Sequence, residues 1–476
     1  METKTKDAAT PLLDGNAQAR TTNSINHLAS LLLAQHAISM HDVLHAAVVD
    51  DSTTNNGGLT LTLCQRPKAN KSRSLRSVTI DASSVSQLES GSATDIVAQL
   101  AGKKRKMLVL INPVSGSKKG VKLWSRCLPI MEAAQIECVE IVTTGTAHAT
   151  QIIHKLTGEE MASYDGIIAV GGDGILFEVV EGFMKRKDWL TLVQQIPLAI
   201  IPAGSGNGLA LSILHRKGET RDVESMAYLI ARGDVSPMDL CSVDSPTNQT
   251  FSFLSTEWAL ASDIDITSEK YRCCGSFRFT CRGIELVFCD GCVRKYSGIL
   301  HYLPVVDGGA SESRGTSSMD IETGGAKESS SKTTTETRPP LLHSLRTLLP
   351  SITEPIGETQ RANGWKTMEG NDWQYFIAMQ TTHQASDMFG APGAELDDGT
   401  ITLCFGKNVS CAPCTMTSWL CNMEEGKHLG MKACQTLKVR AFRLEPAAGI
   451  VAIDGERTPL EPTQVEVHKG LLRILS

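Results

Sequence analysis

Between Met107 and Arg232 the chain alternates short apolar runs with glycine-rich turns and helical spacings. Residues 107–111, 138–142, 166–170 and 197–201 are almost continuously apolar, as strands covered on both faces are. Between them lie helical patterns, for instance Ile175, Leu176, Val179, Val180 and Phe183. This rhythm predicts an α/β domain, a parallel sheet with flanking helices. After Asp234 the runs are strand-sized and more scattered, at 251–254, 298–303, 375–379 and 400–403, which predicts a β-dominated second domain. Upstream, alternation such as Leu59-Thr60-Leu61-Thr62-Leu63 predicts a small strand-rich module.

The resulting division is a polar, disordered tail over 1–27, the strand-rich module over 28–102, the α/β domain over 103–236 and the β-rich domain over 237–476. Residues 307–340 are Ser, Thr, Gly and Glu with almost no large apolar side chains. Such a segment cannot repay the entropy of ordering and is expected to be a disordered insertion. The basic run Lys103-Lys104-Arg105-Lys106 reads as a solvated linker, with a membrane-surface contact as the alternative.

Charge and composition narrow the function. Lys and Arg number 46 against 52 Asp and Glu, a net −6, and aromatics are 5%. Neither the positive field nor the stacking surfaces of a nucleic-acid binder are expected. No apolar run approaches the roughly 18 residues of a membrane span, and residues 1–20 carry no apolar core of a secretory signal. The expected location is cytoplasmic, with peripheral membrane association. The pairs Cys289/Cys292 and Cys411/Cys414 are far apart in the chain, so scattered thiols are expected rather than a zinc site.

The chemistry is written in three glycine-rich turns, each following a strand of the α/β domain. They are Asn112-Pro113-Val114-Ser115-Gly116-Ser117, Gly171-Gly172-Asp173-Gly174, and Gly204-Ser205-Gly206-Asn207-Gly208. At the carboxyl ends of parallel strands, such turns bring backbone N–H groups and helix N-termini to a nucleotide's phosphates. The spacings fit neither the P-loop nor the dinucleotide fingerprint, and the protein-kinase motifs are absent. Asp173, held between glycines, is the candidate to accept a hydroxyl proton. The plainer reading makes it the cap of the helix beginning near Ile175. Glu178 reads as either a solvated position or a site residue. Asp454-Gly455-Glu456 between apolar runs reads as a hairpin turn.

Together these motifs resemble the diacylglycerol-kinase catalytic superfamily, and within it the sphingosine kinases. The most telling stretch is Ser255-Thr256-Glu257-Trp258-Ala259-Leu260-Ala261-Ser262-Asp263-Ile264-Asp265, followed by Ser268-Glu269-Lys270-Tyr271-Arg272 and Phe277-Arg278-Phe279. Further matches are Thr382-His383, the run 391–399, Gly426-Lys427-His428 and Asp454-Gly455-Glu456. The resemblance implies an α/β ATP-binding domain and a β-sandwich-like lipid-binding domain closing over a cleft. It implies a transfer from Mg²⁺-ATP to the primary hydroxyl of sphingosine or a related long-chain base. It makes Asp173 the catalytic base. It assigns to ATP Asn112, Pro113, Val114, Thr143, Thr144, Gly145, Thr146, Ala147, Glu178, Gly204, Ser205, Gly206, Arg272, Arg278, Asp454, Gly455 and Glu456. Gly171, Gly172, Asp173, Gly174 and Asp265 would meet the lipid head, Asp265 its amine, and no residue is assigned as a direct metal ligand.

The chain departs from the pattern at Ala259, where glycine is usual, at Glu181, where Asn is common, and in residues 143–147, which lack the usual charges. The apolar tail is expected in a tunnel lined by residues such as Phe277, Ile284, Leu286, Val287, Phe288 and Met388, which equally fit a plain core. Transient contact with a membrane surface follows from the substrate, and a homodimer is left open. The rival readings are a ceramide or diacylglycerol kinase, a non-catalytic lipid-binding protein, and a dinucleotide-dependent oxidoreductase.

Overall fold

The computed structural model describes residues 33–34, 38–49, 58–66, 71–81, 104–116, 118–288, 293–305, 347–410 and 412–476. The tail expected over 1–27 and the insertion expected over 307–340 lie outside the described residues, as do Cys289, Cys292 and Cys411. Among the described residues, no group of three or more His, Cys, Asp or Glu is arranged to hold a metal ion.

Strands β1 (Val43–Val49), β2 (Gly58–Gln65) and β3 (Ser74–Asp81) form a three-stranded antiparallel sheet of their own. It docks on the α/β domain through Arg73. That guanidinium binds Asp42 at 2.8 Å and Glu219 at 2.7 Å, and lies 3.5 Å over the Tyr228 ring.

The α/β domain runs β4 (Arg105–Ile111), α1 (Gly120–Ala133), β5 (Ile136–Val142), α2 (His148–Lys155), α3 (Gly158–Ala162), β6 (Gly166–Gly171), α4 (Asp173–Met184), α5 (Trp189–Gln195), β7 (Leu198–Pro202), α6 (Gly208–Arg216) and α7 (Val223–Arg232). Strand order is β7-β6-β4-β5, all parallel. Every residue of β6 is buried, because helices cover both faces. The basic run is not wholly a linker. Arg105 and Lys106 already belong to β4, and the Arg105 guanidinium donates to the Ile230 and Ala231 carbonyls at the end of α7.

The second half is antiparallel: β8 (Val235–Asp244), β9 (Gln249–Ser252), β10 (Ser255–Ala259), β11 (Tyr296–Pro304), β12 (Lys366–Met379), β13 (Ile401–Lys407), β14 (Gln435–Pro446), β15 (Val451–Ile453), β16 (Glu456–Thr458) and β17 (Thr463–Leu475). Strands β12 and β14 each pair with β11 along one stretch and with β13 along another. The strands therefore wrap around a core containing Trp258, Trp373, Phe376, Phe405 and Phe442. Helices α8 (Leu260–Thr267), α9 (Arg278–Phe288) and α11 (Ala412–Met423) cover another apolar layer that includes Tyr375, Ile377, Met379 and Trp419; α10 is Glu358–Ala362. Strand β17 joins the halves, pairing with β14 and β8 and, at Ile474, with Leu198 of β7.

The strand expected over 251–254 ends at Ser252. The cause is the Asp454 carboxylate, which takes the backbone N–H groups of Phe253, Leu254 and Ser255 at 2.9–3.1 Å and so turns the chain there.

Candidate active site

The three glycine turns converge because they have no side chains where they meet. A Cβ on Gly204 would stand 2.3 Å from the Gly172 Cα, and one on Gly116 would stand 2.7 Å from the Ala203 carbonyl oxygen. Polar side chains lock the contact. Ser115 Oγ accepts the Gly172 N–H at 3.1 Å, while Asn207 accepts from Gly204 N and donates to Gly204 O, both at 2.8 Å. Asn207 itself has φ +59°. Positions for Cβ on Gly174 and Gly145 meet nothing within 4 Å, so both turns open onto free space. Backbone N–H groups bordering such free space can meet an anion.

Asp173 lies in this junction, 7% exposed. Its carboxylate does not cap its own helix, as the plainer reading held. The N-cap of α4 is Gly172, and the Asp173 side chain reaches across to α6, accepting Gly208 N–H at 2.7 Å and Leu209 N–H at 3.1 Å. Burial pushes the carboxyl up to about 6, against those two bonds, and the Asp454 charge adds to the rise. The antiparallel half meets it here. The Gly206 Cβ position is 3.6 Å from Asp173 Oδ2 and 3.5 Å from the Gln384 carbonyl oxygen, and a Cβ on Gly208 would collide with the His383 carbonyl at 2.6 Å. The buried His383 ring stacks on Phe389 at 4.5 Å. Its pKa falls to about 3 through burial, Arg221 and His215, so it stays neutral.

The expected ATP residues fall into two groups. Asn112 Oδ1 turns the first loop by accepting Val114 N–H at 3.1 Å, and Pro113 and the exposed Val114 follow it. Residues 143–147 connect β5 to α2, and Glu178 holds them there. Its two oxygens accept Ala147 N–H at 2.9 Å and Ala149 N–H at 3.0 Å, capping α2. Glu178 is thus neither merely solvated nor free. Glu181 accepts from Thr250 at 2.7 Å and pairs with Lys185 at 2.9 Å, tying α4 to β9. In the antiparallel half, Asp454, Gly455 and Glu456 form the β15–β16 hairpin. The Asp454 oxygens are occupied by Ser252 Oγ and the three backbone N–H groups of the preceding turn. Glu456 is raised by partial burial, and the charges of Glu269 and Glu178 add to the rise.

Asp265 sits on α8 beside this hairpin, its Oδ2 3.6 Å from the Gly455 Cβ position. Arg278 Nη2 lies 3.9 Å from it, and Arg278 also pairs with Glu269. Burial raises the Asp265 carboxyl to about 7, opposed by Arg278 and reinforced by Glu269 and Glu456. Arg272 lies in the 3₁₀ segment Ser268–Phe277, its side chain outside the described atoms. The expected tunnel lining divides. Leu286 and Val287 are buried and Met388 packs against the same layer, but Phe277, Ile284 and Phe288 are 59%, 49% and 55% exposed.

Two residues near the cleft carried no sequence-based assignment. Ser115 is one; its place in a glycine turn was the available clue. The other is Glu257, 1% exposed on β10, which lies inside the quoted motif but alternates with Trp258 like an ordinary strand position.

Residues 106–243 match the diacylglycerol kinase catalytic domain. The chain is 32% identical over 367 residues to Sphingosine kinase 1 of Arabidopsis thaliana, covering 75% of this chain and 69% of that one. It is 32% identical over 383 residues to human Sphingosine kinase 1, covering 78% and 91%. A crystal structure of a Bacillus anthracis protein described as a diacylglycerol kinase has the same fold, with TM-score 0.50 and 17% identity over 78% of this chain and 95% of that one.

Proposed function

We propose, from the premise that the chain belongs to the sphingosine kinase family of ATP-dependent lipid kinases, that it phosphorylates the primary hydroxyl of sphingosine or a related long-chain base. The observation that carries this reading is Asp173, fixed by two backbone bonds where the phosphate turns meet the antiparallel half. With its carboxyl raised to about 6, it is ionised at neutral pH and basic enough to take the hydroxyl proton as the oxygen attacks phosphorus.

The turns 112–116, 171–174 and 204–208 cradle the ATP phosphates, while Glu178 and Asp454 shape the loops that face them. Bound with the nucleotide, magnesium would supply charge neutralisation to the transferring group. The antiparallel half takes the lipid. Asp265 receives the ammonium, which would lower its raised pKa, and the apolar layer beneath α8, α9 and α11 receives the tail. Phe277, just ahead of α9, and Ile284 and Phe288 on it form an exposed apolar face that touches the bilayer surface from which the base is drawn. Among the described residues no helix is long and apolar enough to cross a membrane. The proposed location is cytoplasmic, with peripheral contact.

The test is phosphate incorporation into sphingosine, ceramide and diacylglycerol in mixed micelles. Sphingosine should be preferred, and Asp265→Asn should raise its KM more than it lowers kcat. Preference for ceramide or diacylglycerol would overturn the role given to Asp265.

A further inference from the structure

Glu257 is a buried acid with one oxygen bound and the other open. Oε1 accepts Ser255 Oγ at 3.0 Å and also Gln384 Nε2. Oε2 is buried with no hydrogen-bond partner among the described residues, and so is Gln384 Oε1. A buried polar atom left in this state is costly, and its persistence points to a ligand that completes it.

Its position says which part of a ligand. The residue directly across the ladder is Ile377, so the Glu257 side chain leaves the sheet on the face covered by α8, α9 and α11. On its other side, Gln384 leads to the Gly206 turn and Asp173. The Asp265 charge also reaches Glu257. Glu257 therefore stands among the Gln384 link to the Asp173 junction, the Asp265 charge and the apolar layer, which on the proposed reading is next to the groups that handle the lipid head. Burial first, and then Asp265, hold its carboxyl well above the usual carboxylate range. A neutral carboxyl there suits a hydroxyl, to which it can donate and from which it can accept, better than a second cation.

We propose that Glu257 is a specificity-determining residue whose open Oε2 bonds a hydroxyl on the first tail carbons of the base, so that the enzyme favours a 4-hydroxylated base over its 4-deoxy counterpart. This rests on the reading of the cleft as a long-chain-base site. The test compares 4-hydroxysphinganine with sphinganine, which differ by that hydroxyl alone, on the full chain with ATP in mixed micelles. The ratio of their kcat/KM values is the readout, because it does not depend on how much of a variant is folded. Wild type should favour the 4-hydroxy base by about tenfold or more, mainly through KM, since a site built around a hydroxyl rejects the analogue lacking it. Glu257→Ala should bring the ratio near one, and Glu257→Gln, a neutral isostere, should keep part of the preference. A wild-type ratio near one, or a preference that survives Glu257→Ala, overturns the proposal. Phosphorylation of diacylglycerol or ceramide but of neither base instead overturns the underlying reading of the cleft.

Discussion

Asp173 holds the start of α6 with the same carboxylate that is proposed to take a proton, and the two tasks leave different signatures. Asp173→Asn keeps the shape and one acceptor oxygen but not the base, so kcat should fall by about 100-fold or more while the KM for ATP moves little. With the folded carboxyl at about 6, the wild-type rate should decline below that pH. The stability sign follows from the same shift. A raised carboxyl contributes most below its unfolded value and loses that contribution as pH rises through about 6. Thermal melts should therefore show the wild type gaining on Asp173→Asn at pH 4 and losing ground by pH 7. Ala259 gives a separate prediction. It adopts φ +61°, ψ −135°, a conformation natural only to glycine, at the turn from β10 into α8. Ala259→Gly should stabilise the fold by about 1 kcal/mol in denaturant titration; an unchanged midpoint would count against strain there. Asp173 was legible because glycines on both sides leave a carboxylate no packing role. Glu257 was not, because a strand's alternation does not reveal that an inward position lacks a partner.

Glu178 shows an element being placed by a residue from another. Its oxygens cap α2, whose own N-cap, Ala147, has no side-chain acceptor and sits at φ +60°. Glu178→Ala should cost about 1 kcal/mol in unfolding and raise the KM for ATP through the loosened 143–147 loop, with kcat less affected. Helix α9 makes a second prediction. Its Gly283 faces α11, where a Cβ would lie 2.9 Å from Leu420 Cδ1, and Ile284 and Phe288 are exposed. Ile284→Ser with Phe288→Ser should weaken sedimentation with lipid vesicles without lowering the melting temperature. Vesicle binding equal to wild type would remove the membrane role of this face. Periodicity located the four parallel strands to within about two residues, because strands buried on both faces are apolar throughout. It misplaced the end of β9, and the lining expected for the lipid tail took in residues exposed on the outer side of α9. The first depends on a carboxylate some two hundred residues away, and the second on which side of an apolar helix is left uncovered.

The molecule as a whole is held by contacts that sequence order does not suggest. The N-terminal sheet is fastened through Arg73 to Glu219 and Tyr228, and the Cys64 carbonyl also accepts from that guanidinium at 2.7 Å. Arg73→Ala should leave a chain in which β1–β3 are cut by protease well before the remainder, visible in a timed digest; simultaneous cleavage throughout would contradict that hierarchy. The change from an alternating α/β pattern to an antiparallel one is visible in composition, but the thread between them is not. Strand β17 pairs with β14 and β8 in one half and reaches β7 in the other, while β11 is flanked by β12 and β14. If the polypeptide were made as two pieces severed between Val305 and Thr347, each would carry a ribbon belonging to the other's sheet. Neither piece would be a self-sufficient lobe. Mixed together they would have to clasp reciprocally, which makes this chain a natural split reporter, silent until both fragments meet.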